Sequence, residues 1–246
     1  MNYTSENTLS EIVQGNMKAA FIFRNYNLNF STEGRKTLKE ACSFAGIKPD
    51  TILNDLRNLR EKYSDYVKVN DWKIDFLCDY IEVNHHKYIR QMMPKILSLG
   101  KILYRKDLIE PGLLIKLQTL GNDFEIHMQK EEKLIFPYIK KMNAMLNVKS
   151  GYEIPPFGSI ANPVKVVEKE HSAAGNSLTQ IKAMCGGYKI NSKIENNKKT
   201  FYEYLKEFDT DFHFHIHFEN NILFPKSISM EKKLKKLFFN NINNKN

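Results

Sequence analysis

At 246 residues, with 42% apolar and 12% aromatic content, the chain can bury a full core as one domain or two. Its apolar runs stop far short of the roughly 20 residues of a membrane span, and the start MNYTSENTLSEIV has no basic region followed by an apolar segment, so the expected location is cytoplasmic and away from membranes. The net charge of +9 is carried by lysines spread along the chain, densest in the Asn-rich tail EKKLKKLFFNNINNKN, which reads as a solvated face or frayed end and not as a nucleic-acid site.

Residues 6 to 66 read as short helices, in TLSEIVQGNMKAAFIFRNY, GRKTLKEACSFAGI and PDTILNDLRNLREKY, punctuated by Gly34, Gly46 and Pro49. From Trp72 onward the segments lengthen, and helices are predicted near 72–103, 108–146, 161–186 and 197–228. NVKSGYEIPPFGSIANP marks a long crossing loop between the second and third, and GGYKINSKIENNKK separates the third from the fourth. Strand signals are almost absent, so the fold class is all-α.

The stretch DFHFHIHFENNILFP, residues 211 to 225, alternates histidines as a strand would. Its surroundings favour a helix: Phe208, Phe212, His215, Glu219 and Ile222 recur at spacings of four, three, four and three, an apolar stripe that carries a His and a Glu inward. His213 and His217 lie about 200° away with Lys206, Thr210 and Asn221 and are expected to be solvated. The second helix shows the same pattern on Leu113, Leu117, Leu120, Phe124, His127, Glu131, Leu134 and Tyr138.

HMQKEEKLIFP from His127 and HIHFENNILFP from His215 form an internal repeat of His, three residues, Glu, two residues, two aliphatics, Phe and Pro. Each has a histidine-bearing helix upstream, in NHHKYIRQMM and EHSAAGNSLT. Four histidines and two glutamates inside an apolar bundle must be neutralised or coordinated. Imidazole with carboxylate and no thiolate suits iron or manganese better than a closed zinc site, and Cys42, Cys78 and Cys185 form no CxxC pair and read as packing. Two carboxylates for bridging and four imidazoles make two metals the natural count, with a position open to a small ligand.

In the first helix two neighbours compete. His85 lies on the cleaner stripe of Ile74, Cys78, Ile81, Tyr88, Met92 and Ile96, whereas that of His86, through Phe76, Val83, Met93 and Leu97, is interrupted by Asp79 and Arg90. His86 nonetheless shares with His171 a small or aliphatic residue at plus three, Ile89 or Ala174, and a larger apolar one at plus seven, Met93 or Leu178. His86 is therefore the expected ligand, and His85 is expected to donate to a backbone or carboxylate acceptor.

These residues resemble a hemerythrin-type HHE bundle, and more specifically the iron-sulfur cluster repair di-iron proteins of the RIC or ScdA family. The resemblance implies a small N-terminal helical domain over 1–66 and a hemerythrin-like four-helix bundle over 67–246. It implies two non-haem iron ions with an oxo or hydroxo bridge, held by His86, His127, Glu131, His171, His215 and Glu219, the glutamates bridging; counted back from Pro94, the family pattern selects His86. Glu170 falls where the family has an acid beside its third-helix histidine, and Asp123 lies one turn before His127. Where relatives carry a Cys-Cys-Gly-Gly turn, this chain reads Ser31, Thr32, Glu33, Gly34, so no thiol acts there, and Cys42 alone reads as packing.

The function so implied is repair of iron-sulfur clusters damaged by nitrosative or oxidative stress, by iron donation or reaction with nitric oxide. Partners would be damaged or apo iron-sulfur proteins and small ligands such as nitric oxide or oxygen, with a homodimer allowed. The alternative is non-enzymatic, hemerythrin-like binding or sensing of oxygen or nitric oxide. A third reading has the open position catalyse nitric oxide or peroxide chemistry.

Overall fold

The computed structural model describes residues 3–62, 69–148, 152–191 and 193–243. The fold is all-α, a hemerythrin-like four-helix bundle preceded by a small helical region. Among the described residues the only strand-like pairing is a single bridge between Thr8 and Thr37. The chain divides into two compact units, residues 1–73 with 216–225, and residues 74–215 with 226–246.

The first unit holds α1 (Leu9–Gly15), α2 (Ala19–Asn25), α3 (Leu38–Ala45) and α4 (Pro49–Lys62). Thr8 and Thr37 begin α1 and α3 as reciprocal capping boxes: each hydroxyl accepts from the backbone of Glu11 or Glu40, whose carboxylate accepts the cap N–H in return. Gly46 closes α3 in the left-handed region (φ 69°), where a side chain would strain the turn. The core gathers Leu9, Ile12, Phe23, Phe30, Leu38, Cys42 and Ile52. Phe30 meets the His217 ring at 5.6 Å, and Trp72 stacks on Phe218 at 6.3 Å.

The second unit holds α5 (Ile74–Ile81), α6 (Lys87–Arg105), α7 (Pro111–Lys130), α8 (Phe136–Val148), α9 (Ala161–Met184), most of α10 (Asn196–Phe218) and most of α11 (Phe224–Asn243). α6 packs on α7, α7 on α9 and α5 on α8. Phe124 of α7 meets Phe208 and Phe212 of α10 edge-on at 5.7 and 5.2 Å, geometry that aromatic quadrupoles favour. The crossing loop, of which residues 149–151 lie outside the described residues, is fastened over 152–160 by Glu231, whose buried carboxylate accepts from Tyr152 Oη (3.0 Å), Ser159 Oγ (2.5 Å), the Ile160 N–H (3.0 Å) and Lys235 Nζ (3.2 Å). Burial pushes that carboxyl up, and these donors outweigh it, leaving it below its ordinary value.

Three of the bundle's helical runs contain a wide π-turn, at Glu82–His86, Glu131–Ile135 and Glu219–Leu223. Lys87, Phe136 and Phe224 donate five residues back, to Glu82, Glu131 and Glu219. Pro137 and Pro225 stand six residues after Glu131 and Glu219. Each lacks the N–H that the carbonyl four residues earlier would accept, and its ring crowds that carbonyl, which loosens the turn. The turn at Glu82–His86 has no such proline, and its sequence offers no comparable cause.

The π-turns correct two expected stripes. Leu134, placed on the core stripe by simple periodicity, is 45% exposed, and Ile135 is fully buried in its stead. Phe76 and Val83, expected to line up with His86, are 50% and 62% exposed. Before the turn Leu77, Cys78 and Ile81 face inward; after it Ile89, Met93 and Ile96 do. The inserted residue rotates the register between them and turns both His85 and His86 inward. The C-terminal run, expected to fray, continues as α11 to Asn243 with Leu234 buried.

Candidate metal centre

Each of the six expected residues is held by a helical run. His86 closes the first π-turn, His127 lies in the last turn of α7, Glu131 opens the second π-turn, His171 lies mid-α9, His215 lies near the end of α10 and Glu219 opens the third π-turn. All six are buried. They form two groups, His86, Glu131, His215 and Glu219, and His127, Glu131, His171 and Glu219, with each group's potential ligand atoms within 4.8 Å of one another. Glu131 and Glu219 belong to both.

The imidazoles meet through their Nε2 atoms, 3.2 Å apart for His86 and His215 and 3.0 Å for His171 and His127. One oxygen, Oε2 of Glu131, lies 3.3 Å from Nε2 of His86 and 3.3 Å from Nε2 of His127. A carboxylate oxygen between two inward-facing imidazoles, one from each group, suits cation binding.

Behind the imidazoles stand carboxylates. Nδ1 of His86 donates to Glu132 (2.8 Å) and Nδ1 of His127 to Glu170 (2.9 Å). Such bonds fix the tautomer with the Nε2 lone pair facing inward and make it a stronger donor. Glu132 is gripped by Arg90, at 2.7 and 3.0 Å, and Glu170 by Lys130. The His86 bond, helped by Arg90, holds Glu132 down to about 2 against burial. The His127 bond, helped by Lys130, does the same for Glu170.

His85 stays outside both groups. Its Nδ1 donates to Asp211 at 2.9 Å, and its ring stacks on His215 at 5.8 Å. Asp123 makes none of these contacts and lines a cavity of about 230 Å³ with Phe124, Lys130, Glu170 and Ser177, at whose inner wall lie His127 and His171. Glu132, Arg90 and Asp211 escaped the sequence reading. Arg90 interrupts the apolar stripe of His86, yet its position four residues after His86 puts it on the same helix face, within reach of the carboxylate that His86 uses.

A further expectation is overturned at His217. His217, expected to be solvated, is fully buried, its Nδ1 accepting from Asn221 Nδ2 at 3.1 Å and its ring against Phe30. Phe30, nearly two hundred positions earlier, lies against it, a contact that the pattern of its own helix does not show. Burial pushes it down to about 3. His213 is half-buried, 3.5 Å from Asp209.

A helical bundle in which two HxxxE pairs and two further histidines converge defines a cation-binding protein of the hemerythrin type. The family model described as the hemerythrin HHE cation binding domain matches residues 79–227, and a model of the ScdA N-terminal domain, described as a domain of unknown function, matches residues 5–60. The chain is 30% identical over 234 residues to the iron-sulfur cluster repair protein YtfE of Pectobacterium atrosepticum, covering 92% of this chain and 98% of that protein. Identity is 29% over 233 residues with its namesake in Musicola paradisiaca, at 92% and 98% coverage, and 28% over 231 residues with that of Enterobacter sp., at 91% and 97%. The chain belongs to the iron-sulfur cluster repair family of hemerythrin-type proteins, the RIC or ScdA family. Among the described residues no helix is long and apolar enough to cross a membrane.

Proposed function

We propose that His86, His127, Glu131, His171, His215 and Glu219 bind two iron ions, with Glu131 and Glu219 bridging, and that the protein restores iron-sulfur clusters damaged by nitric oxide or oxidants. The observation that carries the metal reading is Oε2 of Glu131, 3.3 Å from an imidazole of each group. Four imidazoles and two carboxylates without a thiolate fit iron. The repair reading is supported by the relatives, which carry that name over nearly their full length. Residues 1–66 would form the accessory domain and 67–246 the metal-binding bundle, acting in the cytoplasm on damaged or apo iron-sulfur proteins.

Iron held there supplies a redox-active, releasable cation with room for a small ligand. The chain's own residues do the rest. Glu132 and Glu170 orient His86 and His127, and Phe136 stacks on the His86 ring at 5.6 Å. Asp123 and Glu170 place carboxylates in the cavity against His127 and His171, which suits passage of a cation between solvent and site.

The same cavity supports a second reading, reversible binding of nitric oxide or oxygen without repair. Incubating the iron-loaded protein with an apo iron-sulfur protein and a sulfide source separates them. A repair protein loses iron as cluster absorbance grows in the acceptor; a carrier keeps its iron through repeated ligand cycles.

A further inference from the structure

The π-turn that begins at Glu219 is held from outside its own helix. Pro225 removes the N–H that an α-helix would offer to the carbonyl of Asn221, four residues earlier. Gln14 of α1 supplies the missing donor: its Nε2 reaches Asn221 O at 3.0 Å. Asn70 aims that amide by donating to Gln14 Oε1 at 2.5 Å.

The Asn221 side chain makes the second half of the contact. Its Nδ2 donates to the carbonyls of Ser31 (3.0 Å) and Phe30 (3.3 Å) and to Nδ1 of His217 (3.1 Å). The 30–34 turn is itself braced, Asn29 Oδ1 accepting from the Thr32 N–H (3.1 Å) and the Ser31 hydroxyl (2.9 Å). Gly34 completes the fit. A Cβ built there would stand 2.3 Å from Asn221 Oδ1 and 2.7 Å from its Cγ, so any side chain at this position would force the Asn221 amide to shift. Asn221 lies two residues after Glu219 inside the same five-residue turn, so whatever fixes Asn221 fixes the carboxylate's backbone.

We infer that Gln14, Asn221 and Gly34 position Glu219, so that the N-terminal helical module sets the geometry of a carboxylate shared by both ligand groups while contributing no ligand itself. A π-turn whose carbonyl is freed by proline has more than one accessible bonding pattern. The donors from the module select one. The inference rests on the reading of Glu219 as a metal ligand.

The test uses full-length Gln14→Ala, Asn221→Ala, Gly34→Ala, the double variant Gly34→Ala/Asn221→Ala, and Glu219→Ala. Asn143→Ala serves as a control, because it removes an amide contact to Asp75 away from this turn. Each is loaded with Co(II) for its ligand-field spectrum and with Fe(II) for its rate of release to a ferrous chelator, and metal-free thermal stability is recorded alongside. The expected result is an altered Co(II) spectrum and release about tenfold faster in Asn221→Ala and Gly34→Ala, a smaller change in Gln14→Ala, and wild-type behaviour in Asn143→Ala. The double variant should be no worse than the poorer single one, because both changes act through one contact.

Should Asn221→Ala fail to fold, Gln14→Ala, which deletes a single half-buried donor, still decides by its spectrum and release rate. Wild-type spectra and release in the folded variants of the turn would overturn the inference, as would equally fast release in Asn143→Ala. If Glu219→Ala itself keeps both metals with an unchanged spectrum, the ligand reading fails instead.

Discussion

Glu132 Oε1 accepts from Nδ1 of His86 at 2.8 Å, and Arg90 donates to both oxygens of the same carboxylate. The imidazole's tautomer and angle are therefore set by a pair on the bundle's flank. Glu132→Gln leaves a neutral amide that grips neither partner well. It is expected to lower metal affinity about tenfold to a hundredfold with little loss of helicity. Competition with a chelator of known affinity measures it, and unchanged affinity would deny Glu132 this role.

The π-turn registers predict an asymmetric pair. Ile135 is fully buried and its neighbour Leu134 is 45% exposed. Ile135→Ala should cost about 3 kcal/mol as a core cavity, and Leu134→Ala less than about 0.5 kcal/mol. Urea unfolding of the two variants checks this. A larger cost at Leu134 would mean a regular α-helix runs through the ligand region.

Stability of the metal-free protein should fall with pH from near neutrality. His217 stands at about 3 in the folded chain against an ordinary 6.5, so below 6.5 the unfolded chain takes a proton that the folded chain refuses. That contribution is complete above pH 6.5 and is lost as pH falls toward 3. Glu132 and Glu170 add to it lower down: held at about 2 against 4.5, their contribution is complete above pH 4.5 and is lost as pH falls toward 2. His217→Gln is expected to flatten the curve above pH 4.5, where the wild type loses up to about 1.4 kcal/mol per pH unit through this group. Parallel curves for the two proteins would assign the slope elsewhere.

Glu231 fastens the crossing loop with donors from Tyr152, Ser159 and Ile160. Glu231→Leu leaves these donors and Lys235 without their acceptor and should cost roughly 3 kcal/mol. Cleavage within 152–160 by a broad-specificity protease should accelerate while metal content stays unchanged. Cleavage at the wild-type rate would show that the loop is held by other contacts.

The helical class, the four long segments and the six residues that converge were legible in the sequence. Apolar periodicity and a repeated His-x-x-x-Glu were direct consequences of burying charged groups in pairs of helices. The choice between His85 and His86 could not come from periodicity, because the π-turn changes the register between the halves of that helix. The proline six residues after each glutamate was visible, and its effect on the turn was not, since a loosened turn alters hydrogen bonding before it alters composition. His217 was misplaced for another reason: its cover, Phe30 and Asn221, combines a distant segment with a residue that its own helix pattern marks as exposed. Arg90 and Glu132 read as ordinary surface charge, and only their distances to each other and to His86 reveal their use.

The central claim is that two cations share Glu131 and Glu219. Iron content together with the Mössbauer spectrum of anaerobically reconstituted protein tests it most directly. The account predicts about two irons per chain, magnetically coupled, with coupling and one iron lost on replacing Glu131 by Ala. A single iron per chain, or two uncoupled irons unaffected by that replacement, would contradict it.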